Sequence, residues 1–257
     1  MSVSPEGVTF VIGSDSLIGS ALISELRNSG QPVAGTTRRQ ETVNVSKLYL
    51  DLSKDMTKWA CPWPVSVAVL CAGETTMEMC ERMPAFTARI NVDSISVLAK
   101  NLVDQGAFVV YLSSNHVFDG TRSYRQADEP TSPVTEYGRQ KAEAEDRIRK
   151  LGNRVAIVRL TKVLYPGFPL LHQWRNSLEQ GKSIQPFSDM YMAPVPLDFV
   201  VTILRLISKR QLAGVIHVSG DRDISYKEVA FMGARILGAD ENLVNPVKSR
   251  DFIKNVE

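Results

Sequence analysis

The sequence predicts an α/β protein: a doubly wound parallel sheet covered by helices on both faces, with a small C-terminal lobe. Three observations carry this reading. Short apolar runs alternate with longer amphipathic stretches between residues 8 and 160, the pattern of strands buried on both faces between covering helices. A glycine-bounded turn joins the first apolar run to the first amphipathic stretch. Beyond residue 160 the rhythm changes, where Pro166, Gly167, Pro169, Pro186, Pro194 and Pro196 punctuate the chain.

The first strand is predicted over residues 8–12, ending at Gly13. A helix follows over 17–28, with Leu17, Ile18, Ala21, Leu22 and Leu26 on one face and Gly30 as its stop. Residues 32–37 read as a second strand, 48–50 as a short third and 65–70 as a fourth. A helix over 84–103 closes before Gly106. The fifth strand spans 107–112, a charged helix 135–151 and the sixth strand 155–160. Residues 197–207 and 225–237 read as helices with a strand at 215–218 between them. The expected division is residues 1–160 for the sheet domain and 161–257 for the lobe, interleaved with the sheet across an approximate boundary. Right-handed crossovers then put the C-terminal ends of the strands on one edge, where ligands bind.

Composition narrows the function classes. The 257 residues are 44% hydrophobic and 23% charged, as in ordinary soluble globular proteins. Thirty basic against 28 acidic residues leave a net charge of +2, which excludes a general nucleic-acid binder. The first seven residues lack the basic and apolar segments of a secretory leader. No run approaches the roughly 18–20 apolar residues of a membrane span. Three cysteines, Cys61, Cys71 and Cys80, without C-x-x-C pairing fit a reducing, cytoplasmic setting better than a disulfide framework. No His/Cys/Asp spacing suits a catalytic metal.

The segment Gly13-Ser-Asp-Ser-Leu-Ile-Gly19 lies between the first strand and the first helix. Glycines there allow a sharp turn and close helix–strand packing, and the helix N-terminus presents N–H groups to a pyrophosphate. Gly13, Ser16, Leu17, Ile18 and Gly19 are thus candidate phosphate contacts. Ser16 stands where the usual loop has a third glycine. It can cap the helix or donate to a phosphate oxygen, and the loop also reads as a plain strand–turn–helix. An NAD site places a carboxylate about 20 residues beyond the glycines. Here Arg38 and Arg39 follow Thr36 and Thr37 instead. Guanidinium groups bind a 2′-phosphate through paired hydrogen bonds, which predicts NADP(H) over NAD(H).

Tyr137 and Lys141 are four residues apart on the charged helix and so share a face. The lysine ammonium is expected to lower the phenol's pKa, and the phenol to give a proton to a carbonyl oxygen as hydride reaches its carbon. Ser113 and Ser114 end the fifth strand at the ligand-binding edge, where a hydroxyl can reach the same oxygen.

With these segments in place, the chain resembles the extended short-chain dehydrogenase/reductases, and within them the dTDP-4-dehydrorhamnose reductase family. The carrying segments are the Gly13-to-Gly19 loop, Thr36 to Arg39, Asp51-Leu52, Cys71-Ala-Gly-Glu-Thr75, Asn91-Val-Asp, Ser113 to Gly120, Tyr137 to Lys141, and Asp189 to Pro194. The resemblance implies a Rossmann-type fold and NADPH-dependent reduction of a keto group on a nucleotide-linked sugar. It implies Ser114, Tyr137 and Lys141 as the catalytic set, with Ser113, Tyr137 and Lys141 also against the cofactor. Asp51 and Leu52 would lie along the adenine, and Cys71, Ala72 and Gly73 along the ribose and pyrophosphate. Asn91 would support Lys141 through the helix backbone. Thr75, His116, Val117, Phe118, His172 and Trp174 are substrate candidates; for Trp174 core packing competes, and His217 reads as structural. A homodimer through sheet-covering helices is a family expectation.

The chain departs from the family at Ser16 and at Asn115-His116, where an Asp-Tyr pair is usual, and it ends soon after Arg250-Asp-Phe. A 4,6-dehydratase would want an acidic pair after the strand-five hydroxyl, which Asn115-His116 does not supply. An epimerase would favour NAD, against Arg38 and Arg39. From another class, the regulatory subunit of methionine adenosyltransferase is a relative of this fold that serves mainly as a partner.

Overall fold

The computed structural model describes residues 7–253. In chain order the first elements are β1 (Val8–Ile12), α1 (Leu17–Asn28), β2 (Val33–Thr37), β3 (Lys47–Tyr49) and β4 (Val65–Leu70). Next come α2 (Met77–Arg82), α3 (Pro84–Ala88), α4 (Ile95–Asp104), β5 (Phe108–Ser114), α5 (Glu136–Arg149) and β6 (Val155–Leu160). They are followed by β7 (Lys162–Leu164), α6 (Pro169–Glu179), β8 (Tyr191–Met192) and β9 (Pro194–Pro196). The last are α7 (Leu197–Arg210), β10 (Gly214–Val218), β11 (Ile224–Ser225), α8 (Tyr226–Leu237) and α9 (Ser249–Ile253).

The chain divides into two compact units. The first runs to Leu160 and takes in Leu197–Val218; the second holds Thr161–Pro196 and the chain from Ser219 onward. The expected lobe of 161–257 is corrected accordingly. β10 pairs in parallel with β6, from Gly214 against Ala156 to Val218 against Leu160, so it is the seventh strand of the sheet. α7 packs beside α1 and buries Val200, Val201, Leu204 and Ile207. The strand's main-chain pairing and the helix's apolar stripe assign this segment to the sheet, and the prolines around it do not separate it.

The first unit's sheet runs β10-β6-β5-β4-β1-β2-β3, with every pairing parallel. This is the Rossmann order with one strand added beyond β6. Phe10, Ile12, Leu70, Val109, Tyr111 and Ile157 are buried from the strands, and Leu98, Leu102 and Ile148 pack on them from α4 and α5. The predicted helix over 84–103 is interrupted. Between α3 and α4 lies a π-helical turn, Arg89–Ser94, which turns Asn91 inward. Such turns are frequent at functional sites.

In the second unit β7 pairs with β9 and β8 with β11. α6 packs on α8 around Trp174, Leu178, Ala230 and Ala234. The sequence reading missed α6 because it took Pro169 as a breaker; proline instead occupies the helix's first turn, where its missing N–H costs nothing. α8 begins with a capping box of Ser225 and Glu228 and ends at Gly238, whose φ of +66° suits glycine.

Candidate active site

The loop between β1 and α1 is built by close backbone contact. Gly13 has φ +84°, and a Cβ there would lie 2.8 Å from the Ala72 nitrogen. A Cβ on Gly19 would collide with the Gly13 carbonyl oxygen. Ser16 is the N-cap of α1: its hydroxyl accepts from the Gly19 amide at 3.1 Å and donates to the Gly13 carbonyl at 2.8 Å. Of the two roles open to Ser16, capping is the one its hydroxyl performs. Leu17 and Ile18 contribute amides that precede the first intrahelical bond, from Ser20 N to the Ser16 carbonyl. Such amides are free to meet an anion.

This loop opens onto a cavity of about 590 Å³. Gly13 and Ser16 form one end, and Cys71, Ala72 and Gly73 a wall. Arg38 and Arg39 lie at the end of β2, and Asp51 and Leu52 follow β3. Nine residues expected from sequence at a dinucleotide site therefore line one cavity. First-turn amides, glycines that admit a close approach, and two arginines lining the same cavity fit a dinucleotide.

Asp15 was not foreseen, although a charged side chain inside a phosphate loop was a visible signal. Its carboxylate accepts from Thr37 Oγ1 at 2.5 Å and pairs with Lys47 Nζ at 2.5 Å and Arg39 Nε at 3.2 Å. Partial burial works to raise its pKa, but the hydrogen bonds from Lys47, Thr37 and Arg39 prevail and hold it at about 2.

The proposed catalytic groups converge. Ser114 ends β5, accepts from the His116 amide at 3.3 Å and donates to Asn115 Oδ1 at 3.5 Å, with the Tyr137 phenol near enough for the hydroxyl to favour its phenolate. Thr135 caps α5 through the Gly138 amide at 3.1 Å. A Cβ on Gly138 would run into the His116 carbonyl, so the glycine lets Tyr137 approach the strand tip. The rings of Tyr137 and His116 meet edge to face at 5.9 Å. Lys141 is buried below them, with two of its three N–H donors in use. Its ammonium donates to the Leu112 carbonyl at 2.8 Å and the Tyr111 hydroxyl at 3.2 Å, and lies 5.9 Å from the Tyr137 ring centre.

The electrostatics differ from expectation. Burial pushes the Tyr137 phenol up to about 12, the nearby Cys80 adds to the rise, and the Ser114 hydrogen bond offsets only part of it. Burial pushes Lys141 down to about 8, against the pull of Glu145. Desolvation sets the phenol's hold on its proton, with the ammonium 5.9 Å from its ring centre. The result is a phenol that keeps its proton, as an acid must. Cys71 is no reactive thiol, since burial pushes it up to about 12.

Other expected residues fall elsewhere. Ser113 is buried and donates to Glu145 at 2.5 Å, so its hydroxyl belongs to a buried network with Arg159. Asn91 does not act on the lysine backbone. Its amide group binds both the N–H and the carbonyl of Glu74 at 2.8 Å and the Gln140 side chain at 2.9 Å, tying the chain after β4 to α5. Val117 and Phe118 are buried with Ala142 in an apolar cluster and do not form a substrate wall. Phe118 lies under the guanidinium groups of Arg125 and Arg159, at 5.4 and 5.0 Å. Thr75 is exposed after β4. Trp174 is a core residue of the second unit, edge-on to Tyr226 at 6.5 Å. His172 faces Asn176 at 3.2 Å beside a cavity of the second unit. His217 contacts Arg159 at 3.2 Å, a structural placement.

Among the described residues no helix is long and apolar enough to cross a membrane, and no group of three or more His, Cys, Asp or Glu could hold a metal. The family model described as "RmlD substrate binding domain" matches residues 8–257. The probable low-salt glycan biosynthesis reductase Agl14 of Haloferax volcanii is 26% identical, over 91% of this chain and 82% of its own length. Methionine adenosyltransferase 2 subunit beta of Bos taurus is 25% identical, over 95% of this chain and 76% of its own. The structure of dTDP-4-dehydrorhamnose reductase from Bacillus anthracis, solved with NADP, superposes with a TM-score of 0.81 at 20% identity, covering 96% of this chain and 85% of that one.

Proposed function

Because the chain belongs to the RmlD substrate binding domain family, whose members include sugar-nucleotide reductases, we propose that it is an NADPH-dependent reductase of a keto group on a nucleotide-linked sugar. The observation that carries this reading is the convergence of Ser114, Tyr137 and Lys141 at the tip of β5. A nicotinamide cofactor held in this cavity would supply the hydride for the carbonyl carbon. Tyr137 gives its proton to the carbonyl oxygen, and the Ser114 hydroxyl turns to donate to the same oxygen. Lys141 offers its ammonium beside the phenol, where it can take ribose hydroxyls. Arg38 is the guanidinium for a 2′-phosphate.

The test is NADPH oxidation by the purified chain with a panel of nucleotide-linked ketosugars. Turnover of one panel member is the expected result. Arg38→Ala should weaken NADPH about tenfold or more, as loss of a charge-assisted bond does, and NADH by less than about threefold. Equal affinities for the two cofactors in the wild-type chain would remove Arg38 from this role.

The pH dependence has a definite sign. Lys141, held at about 8 by burial, is an ammonium below that pH and neutral above it. The ratio kcat/KM should be level below pH 8 and fall about tenfold per unit above it. Tyr137 keeps its proton throughout that range. A profile level to pH 10 would show that the charge on Lys141 is not needed.

A second reading has support of its own: the similarity to methionine adenosyltransferase 2 subunit beta covers 95% of this chain. In that reading the site binds NADPH without turning over, and the chain acts as a regulatory partner. NADPH binding, inactivity across the panel and a stoichiometric protein partner would favour it.

A further inference from the structure

Side chains from three successive segments meet on one carboxylate at the rim of the dinucleotide cavity. Asp15 comes from the loop after β1, Arg39 from the end of β2 and Lys47 from the start of β3. Thr37 adds its hydroxyl to the same carboxylate. Asp15, Arg38 and Arg39 all line the cavity. Arg38 acts through space on Asp51 and Glu74.

The two cofactors differ at the adenosine ribose, one carrying a 2′-phosphate of nearly two negative charges and the other a hydroxyl. The end of β2 is where that difference is read. A basic pair in this place counts toward the phosphorylated cofactor only while its charges are available. Arg39 and Lys47 already have an anion. An incoming phosphate must share them with Asp15 and also meets the carboxylate's own charge at close range. A ribose hydroxyl meets no such repulsion and can donate to a carboxylate.

We infer that Asp15 is a specificity-determining residue that weakens the 2′-phosphorylated cofactor relative to the unphosphorylated one, leaving Arg38 to carry the preference for NADPH. This rests on the dinucleotide reading above. The sequence count of two adjacent arginines overstates the selectivity, because one of them is neutralised from a loop more than 20 residues earlier.

The experiment measures NADPH and NADH dissociation constants by calorimetry on the intact chain, for wild type, Asp15→Asn and Asp15→Asn/Lys47→Gln. Asparagine keeps an acceptor for Thr37 and removes the charge, and a melting curve without cofactor checks that the loop is intact. NADPH should bind Asp15→Asn about tenfold more tightly, with NADH changed by less than about threefold. The gain should shrink at high salt and in the double variant, where one freed cation is gone. Binding with an unchanged ratio, or a shift toward NADH, would overturn the inference alone and mean that Asp15 organises the cations for the phosphate. If the wild-type chain binds neither dinucleotide, the cofactor reading itself falls and takes the inference with it.

Discussion

Tyr137→Phe should lower turnover by about two to four orders of magnitude, the usual worth of a positioned general acid, and leave NADPH affinity within about threefold of wild type. The substitution removes one O–H. The ring stays, with its edge-to-face contact to His116 at 5.9 Å. Ser114 retains the His116 amide at 3.3 Å and Asn115 Oδ1 at 3.5 Å, so the strand tip has little reason to move. What disappears is a proton donor that burial keeps protonated at any working pH. Because the loss falls on the chemical step, kcat and kcat/KM should drop together while the cofactor's dissociation constant stays level. Turnover within tenfold of wild type would remove Tyr137 from the acid role.

The second large effect concerns stability. Arg159→Leu should destabilise the fold by about 3–5 kcal/mol, the cost of breaking a buried ion pair from one side. Arg159 and Glu145 have side chains only 2% and 0% exposed. The guanidinium grips the carboxylate from Nε at 3.0 and 3.1 Å and from the terminal nitrogen at 2.6 Å. Ser113 donates to the same carboxylate at 2.5 Å. Without Arg159 a charge remains in the core, and Arg149 cannot replace the lost partner from 3.8 Å and 54% exposure. Glu145→Gln/Arg159→Met removes both charges and should recover much of the loss. Urea unfolding of the three proteins measures this. A loss below about 1 kcal/mol in Arg159→Leu would mean that water reaches the carboxylate.

The two results probe different layers of one helix. α5 presents Tyr137 and Lys141 to the strand tip, and one turn further on Glu145 enters the core below them. Glu145 also opposes the desolvation of Lys141. The buried pair thus supports the helix at the depth that sets the lysine's charge.

Much of this was legible in the sequence. β1, β4 and β6 follow from short apolar runs, and α1 from apolar residues at helical spacing with a serine cap. The four-residue interval between Tyr137 and Lys141 puts them one above the other on any α-helix. Gly13 and Gly19 announced two positions with no room for a Cβ, and the structure has none at either. Local signals were misread where one residue type has two uses. Pro169 starts α6 where it was expected to break the chain, and the residues of α3 and α4 match one helix until the π turn at Asn91 divides them.

Local periodicity and motif spacing therefore determined by themselves the layered α/β class, the glycine-bounded turn after β1 and the shared face of Tyr137 and Lys141, because each depends on residues within a turn or two of one another. Only the tertiary structure decided the rest. It returned α7 and β10 to the sheet, paired Glu145 with Arg159, gave Lys141 to Tyr111 and drew Arg39 and Lys47 onto Asp15. It also made burial the main influence on the phenol's proton affinity. The physical reason is common to all of these: desolvation and charge pairing depend on which distant segments exclude water from a group, and no local pattern encodes that.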